Sequence, residues 1–264
     1  MPEFAEKLIL TFLGTGTSQG IPVIGCDCPV CLSPDPRDQR LRTAALIQWG
    51  NLQLAIDVGP DFRQQMLRER VQRLDGILLT HEHNDHIAGL DDVRPFNFKQ
   101  MEDMTVYALP RVCTVMRERF AYVFDAKPYP GAPMVDLQEI EAGVSFLIKD
   151  KPILPIRIEH GKLPILGYRF GDLTYITDMK SITPENRALV EGSRILIVNA
   201  LRYKEHHSHL TLDQAIAFTQ EIQPEKAYFL HASHYLGLHQ DILKKLPTGI
   251  EYAYDGLKIE CPIS

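Results

Sequence analysis

Short apolar runs alternate with polar breaks rich in glycine and proline, and the apolar period switches between two and about 3.6 residues along the chain. Residues 8–13, 43–49 and 53–57 read as strands, the last two joined as a hairpin across Gly50-Asn51. Asp61 and Gln64 have the spacing of a capping box, and Phe62, Met66 and Leu67 supply the apolar stripe of a helix reaching about residue 70. Residues 76–80 form a buried strand that stops at a run of histidines, followed by one helix over 85–94.

The segment 107–124 reads as a strand, a turn at Pro110 and a helix. Four prolines or glycines between residues 127 and 133 then predict a loop placed to cover a site. Short strands follow at 144–148, 153–159, 167–170 and 173–177. The last third repeats the order of the first: helix 184–190, strand 195–198, helix 212–220, strand 227–230, a helix from about 238 and strand 252–254. No repeat or low-complexity segment divides the chain, so residues 1–264 are expected to form a single domain. Hairpin-rich halves, each followed by helices, predict an α/β fold with two sheets packed face to face and helices outside.

Composition narrows the functions. With 45% apolar residues in 264, the chain buries a full core without disulfides. The balance of 28 Lys and Arg against 34 Asp and Glu gives a net charge of -6, which argues against a nucleic-acid partner held by bulk charge. No apolar run approaches the ~18 residues of a membrane span. Glu3 and Glu6 stand where a secretory leader is basic, so a cytoplasmic chain is expected. Cys113 and Cys261 are isolated and read as buried fillers. Cys26, Cys28 and Cys31 fall within six residues, a spacing that suits a metal better than a disulfide framework, and three thiolates need a fourth ligand for tetrahedral closure.

The sequence LLTHEHNDHIAGL puts His81, His83, Asp85 and His86 where a buried strand gives way to a helix. An extended backbone points His81 and His83 the same way, while Asp85 and His86 face a second point. Four ligands in six residues exceed what one ion accepts from so short a segment, so two ions are expected. Gly14, Gly16 and Gly20 have the wrong spacing for a dinucleotide loop, and Pro22 stands where its helix would start. Arg94 is placed either to meet a substrate anion or to pair with Asp91 or Glu102.

THEHNDHIAGL resembles the HxHxDH motif of the metallo-β-lactamase superfamily. The resemblance implies a four-layer αββα sandwich of two mixed sheets. It adds His160 in RIEHG, Asp178 in YITD and His231 in FLHASH as metal ligands, with Asp57 of LQLAID supporting them. One ion falls to His81, His83 and His160, the second to Asp85, His86 and His231, and the catalytic Asp178 bridges both. Two divalent ions, Zn or Mn, would share a water and lower its pKa from about 15.7 towards roughly 7.

GTGTSQGIPVIGCDCPVC, EHGKLPILGY, HHSHLTLDQA and FLHASH narrow the likeness to the phosphoribosyl 1,2-cyclic phosphate phosphodiesterases of bacterial phosphonate breakdown, over about residues 10–255. The chain is more weakly similar to a pyrroloquinoline-quinone biosynthesis protein and to ribonuclease Z. The closer likeness implies that His234 completes a structural zinc site with Cys26, Cys28 and Cys31, which would stabilise folding by roughly 10–16 kcal/mol. It makes His209 a catalytic residue outside the metal ligands that protonates the departing oxygen, with His206 and His207 solvated. Asn199 stands where the relatives carry an acid, a change expected to bear on substrate positioning. A homodimeric hydrolase of a small phosphate ester, cyclic or open, is the leading expectation. A ribonuclease Z-like nuclease, a thioester or lactone hydrolase, and a non-enzymatic metal-binding carrier in cofactor biosynthesis are the alternatives.

Overall fold

In the computed structural model, which describes residues 7–262, the apolar runs of the first half pair edge to edge. Strands β1 (Lys7–Gly14), β2 (Ala44–Trp49) and β3 (Leu52–Ile56) form an antiparallel meander, with Gly50 left-handed at φ 58° in the expected hairpin. Strands β4 (Gly76–Leu78), β5 (Met104–Ala108) and β6 (Val135–Glu139) extend the sheet in parallel. The crossovers carry α1 (Phe62–Arg68), then α2 (Asn84–Ile87) with α3 (Arg94–Gln100), then α4 (Pro110–Arg119).

The second half reproduces this plan. Strands β7 (Phe146–Ile148), β8 (Lys151–His160), β9 (Leu163–Phe170) and β10 (Leu173–Tyr175) are antiparallel. Helices α5 (Pro184–Ala188), α6 (Leu212–Ile222) and α7 (His239–Leu243) then lead into the parallel β11 (Ile195–Asn199), β12 (Lys226–Leu230) and β13 (Ile250–Tyr252). Strand β14 (Lys258–Pro262) crosses back to pair with β1, giving two mixed sheets of seven strands.

Alternation along β1 and β2 places both faces in apolar surroundings. Leu8, Leu10, Phe12, Ala45, Ile47 and Trp49 join Tyr168, Phe170, Tyr175 and Tyr228 of the other sheet in the central layer. Leu13, Ala44 and Leu46 point outward to Phe62, Met66, Phe96 and Met116 of the helices. The second sheet packs likewise under Ala215, Phe218 and Ile242. This is the expected αββα sandwich. Among the described residues, no helix is long and apolar enough to cross a membrane. Glu3 and Glu6 lie outside the described residues.

Several local expectations are corrected. Asp61 makes no capping bond to α1, because its carboxylate is taken by Arg42, whose backbone N and Nη1 donate at 2.8 and 2.9 Å. The single helix expected over 85–94 breaks into α2, a short 3-10 turn and α3. The break falls at Gly89, where a Cβ would lie 2.1 Å from the Gly59 carbonyl. Strands β6 and β14 were not foreseen, since their charged residues mask the alternation. A capping box does occur at α6, between Thr211 and Gln214.

Arg40 fastens the N-terminal loop to the end of the second sheet. Its Nη1 donates to Thr15 Oγ1 and the Ala253 carbonyl at 2.8 and 2.6 Å, its Nη2 reaches His239 Nδ1 at 3.1 Å, and its guanidinium lies 4.0 Å over the Tyr252 ring. Burial, aided by Arg40, pushes His239 down to about 4. The unfolded chain therefore takes up a proton below pH ~6.5 that the folded chain refuses. The resulting stability is complete above that pH and is lost as pH falls towards about 4. His239→Gln should reduce the loss of stability between pH 7 and pH 4.5 by about 2–3 kcal/mol, measured as the difference between urea unfolding curves of variant and parent. An identical pH slope in both would contradict this.

Candidate metal centre

The candidates of the histidine centre beyond the motif, His160, Asp178 and His231, and the supporting Asp57 stand where strands run out. His160 is the last residue of β8, Asp57 and His231 immediately follow β3 and β12, and Asp178 stands three residues past β10. The carboxyl ends of parallel strands are where α/β sheets form their clefts. Asp57, Asp178 and His231 hold left-handed backbone at φ 64°, 57° and 60°, a conformation that costs about 1–3 kcal/mol per residue. Those sharp reversals turn Asp178 and His231 towards each other, 3.1 Å apart, and Asp57 onto Thr80 and His86.

The histidine motif is locked onto the loop after β3. A Cβ on Gly59 would sit 2.0 Å from the Asp85 carbonyl, and Val58 N donates to the His86 carbonyl at 2.8 Å. Asp57 is fully buried. Its carboxylate accepts from Thr80 N at 2.8 Å, from Thr80 Oγ1 at 2.9 Å and from His86 Nδ1 at 2.7 Å. Because Thr80 Oγ1 gives its proton to Asp57, it accepts from His81 Nδ1 at 2.9 Å. One carboxylate thus fixes both rings with Nε2 turned to the cleft. On the opposite side α4 braces the motif: Arg111 pairs with Glu82 and donates to the Pro164 carbonyl at 2.6 Å, and Arg119 bonds Asn84.

His81, His83 and His160 bring one ring nitrogen each within 4.8 Å of one another, and His81, His86 and Asp178 make a second such group. His160 Nδ1 donates to the Ser208 carbonyl at 2.8 Å, leaving Nε2 available. The second set is strung around Asp178. Its Oδ2 lies 3.5 Å from His86 Nε2 and 3.9 Å from His81 Nε2, its Oδ1 lies 3.1 Å from His231 Nδ1, and Asp85 Oδ2 lies 3.3 Å from His86 Nε2. His231 is also bound by threonines: Nδ1 lies 3.0 Å from Thr43 Oγ1 and Nε2 lies 3.3 Å from Thr17 Oγ1. His209, buried, lies between His160 and His231, tilted 60° to the first at 4.6 Å and stacked on the second at 4.8 Å, and groups with His160 and Asp178.

Charge explains why these residues suit a cation. Burial alone would push His86 down, yet Asp57, Asp178 and Asp85 surround it and hold it well above its ordinary value. Burial would raise Asp178, but His231 and His86 keep it well below the usual carboxylate range. His86 Nε2 is buried and makes no hydrogen bond among the described residues, although two carboxylate oxygens lie within 3.5 Å. Ring nitrogens and carboxylate oxygens that converge from separate segments, with His81 Nε2 3.0 Å from His83 Nδ1, in a pocket with three carboxylates, fit a divalent ion. Burial pushes His209 down to about 2, so its ring is neutral.

Cys26, Cys28 and Cys31 place their sulfurs 3.2, 3.5 and 3.4 Å from His234 Nδ1, the fourth member the resemblance supplied. Burial raises Cys31 to about 11, while bonds from the Cys31 backbone, Cys26 and His234 outweigh burial and bring Cys28 to about 6. Cys113 and Cys261 are buried. Arg94 Nε donates to the Asp91 carbonyl at 3.0 Å, and the Asp91 carboxylate is taken by Tyr122. Asn199 is buried at the end of β11. Its Oδ1 accepts from Met179 N at 2.7 Å and its Nδ2 donates to Met179 O at 3.0 Å, so it acts on the backbone beside Asp178. Thr80, Thr43 and the Ser208 carbonyl were missed by sequence reasoning; only Thr80, adjacent to His81, left a signal.

Residues 53–232 match the β-lactamase superfamily domain, and the chain belongs to that superfamily of metal-dependent hydrolases. It is similar to a diphosphatase from the PhnP family at 39% identity, with a TM-score of 0.90 over 97% of both chains. Zinc-bound PqqB of Methylobacterium extorquens shares the fold at 18% identity and a TM-score of 0.78, over 95% of this chain and 99% of that one. An octanoyltransferase of Porphyromonas gingivalis is 44% identical over 93% of this chain and 50% of its own length, and a ribonuclease Z of Bradyrhizobium diazoefficiens is 30% identical over 51% of this chain and 42% of its own. The chain therefore spans about half the length, or less, of these two relatives.

Asp57→Asn sets an amide donor against the His86 Nδ1 proton and should weaken metal binding about 10–100-fold without unfolding the chain, read by competitive chelator titration alongside circular dichroism. Cys28→Ser should remove about one zinc per chain and lower Tm while metal bound by the histidine group persists, read by elemental analysis.

Proposed function

We propose that the chain is a phosphodiesterase that hydrolyses a small phosphate ester at a dinuclear centre. The observation that carries the reading is the convergence on Asp178 of two donor sets, each anchored from behind by its own hydrogen bonds. His81, His83 and His160 would hold one ion and Asp85, His86 and His231 the other, with Asp178 common to both. A nitrogen and oxygen set without sulfur suits Zn or Mn. Divalent ions bound there supply Lewis acidity, which lowers the pKa of water and offsets the charge of a phosphate diester.

The chain's own residues do the rest. Asp57 and Thr80 keep His81 and His86 in one tautomer and one orientation, and Ser208 does the same for His160. Water adds to phosphorus as the bond to the departing oxygen breaks. His209, a neutral ring whose Nδ1 has no partner among the described residues, takes at that atom the proton that the attacking water loses and passes it to the departing oxygen. The similarity to a PhnP-family diphosphatase over almost the whole chain supports a phosphate-ester substrate. The same proposal makes Cys26, Cys28, Cys31 and His234 a structural zinc site and the protein a cytoplasmic homodimer. Partial similarity to ribonuclease Z favours a nuclease as the second reading, against which stands the net charge of -6.

Bis(p-nitrophenyl) phosphate should be hydrolysed in the presence of Zn or Mn. His209→Ala should lower kcat about a hundredfold or more at unchanged metal content, and Asp178→Asn should abolish both activity and full metal loading. Protein shown to hold two ions at the histidine group, yet giving no rate above background, would sink the hydrolase mechanism. Faster cleavage of a tRNA precursor than of any small ester would move the reading to the nuclease.

A further inference from the structure

The loops that bring His209 and His231 together continue past the centre and enclose a second cavity. One leaves the end of β11, the other the end of β12, and Ser233 N and Oγ both donate to the Leu201 carbonyl at 3.0 Å, clipping them side by side. The cavity, about 450 Å³, is lined by Arg202, Tyr203, Lys204 and Tyr235. His206, on the same loop as three of these, holds its ring 5.0 Å from that of His209, so this stretch borders the proposed reaction centre.

Tyr203 and Tyr235 are 41% and 68% exposed in one concavity; Lys245 Nζ lies 4.9 Å over the Tyr203 ring and the His234 ring packs 4.0 Å from that of Tyr235, so one side of each ring is already engaged and the other is offered to a ligand. Arg202 is held in place: Nε and Nη2 donate to the Lys204 and Glu205 carbonyls at 3.1 and 3.0 Å. Lys245 adds a further cation, donating to Tyr203 Oη at 3.1 Å. The carboxylate of Glu205 is engaged by Lys180 and Gln214, and no acidic side chain lines the cavity among the described residues. On a chain of net charge -6, a pocket of tyrosines and cations selects a planar π-system that also carries negative charge.

We propose that this cavity is the subsite for an aromatic, anionic portion of the substrate, the kind of group a nucleoside monophosphate presents. Its place in turnover rests on the phosphodiesterase reading; its binding does not. The ring stacks on Tyr203 or Tyr235, Arg202 and Lys204 meet the anion, and the ester bond extends towards His209.

Equilibrium dialysis of the metal-loaded full chain against AMP, ribose 5-phosphate and adenosine tests this. Both phosphates can reach the metal centre, so the difference between them reports the ring. AMP should bind about tenfold more tightly than ribose 5-phosphate. Tyr203→Ala and Tyr235→Ala, both at exposed positions, should erase most of that difference and leave ribose 5-phosphate unchanged, while Arg202→Gln should narrow the preference for AMP over adenosine. In turnover the tyrosine variants should raise KM for bis(p-nitrophenyl) phosphate with kcat constant. Equal affinities for AMP and ribose 5-phosphate, or AMP binding indifferent to both tyrosines, would overturn the proposal. AMP selectivity that depends on the tyrosines, in a protein that hydrolyses no phosphodiester, would retain the subsite and remove the hydrolase reading.

Discussion

A carboxylate sealed from water and shared between two imidazoles underlies the arrangement of the centre. Asp57 accepts two hydrogen bonds from Thr80, from its backbone N–H and its hydroxyl, and one from His86, and through Thr80 it also sets His81. Burial raises its own pKa, but His86 and the Thr80 donors oppose the rise, so the carboxylate and its partners are worth more together than apart. Its left-handed backbone is tolerated because the surrounding loop is pinned by Gly59 against Asp85 and by Val58 against His86. The strained turn, the close backbone approach and the ring orientations form one unit, and none is independent of the others.

Much of the fold was legible because burial on two faces left long apolar runs. Strands β1, β2, β3, β11 and β12 and the hairpin at Gly50-Asn51 are where the alternation and turn chemistry placed them. The misses have a common physical cause. Strand β6 reads VDLQE and β14 reads KIECP, edge strands with half their side chains in water, so their pattern resembles a loop. The broken helix after His86 and the unused cap at Asp61 are tertiary effects: a backbone contact at Gly89 and an arginine 19 positions away decide them.

The candidate centre was legible in another way. Residues 81–86 announce themselves by density, and the resemblance placed His160, Asp178, His231 and His234, each of which the structure brings to its group. What holds these residues could not be read. Thr43 sits on β2's approach, Ser208 contributes only a carbonyl, and Arg111 reaches from α4; such partners carry no motif because any donor at the right point in space serves. Arg94, which sequence left between a substrate and an ion pair, is absorbed by a backbone carbonyl.

Asn199 bears on the electrical balance of the cleft. A side-chain amide offers one donor and one acceptor, and both are spent on the same peptide neighbour of Asp178. An aspartate in its place would oppose a second lone pair to the Met179 carbonyl and bring a fourth anionic group beside Asp57, Asp85 and Asp178. By closing that position with a neutral clasp, the chain limits the electron-rich character of the cleft, so that a cation held there would keep more unbalanced positive field for whatever anion enters.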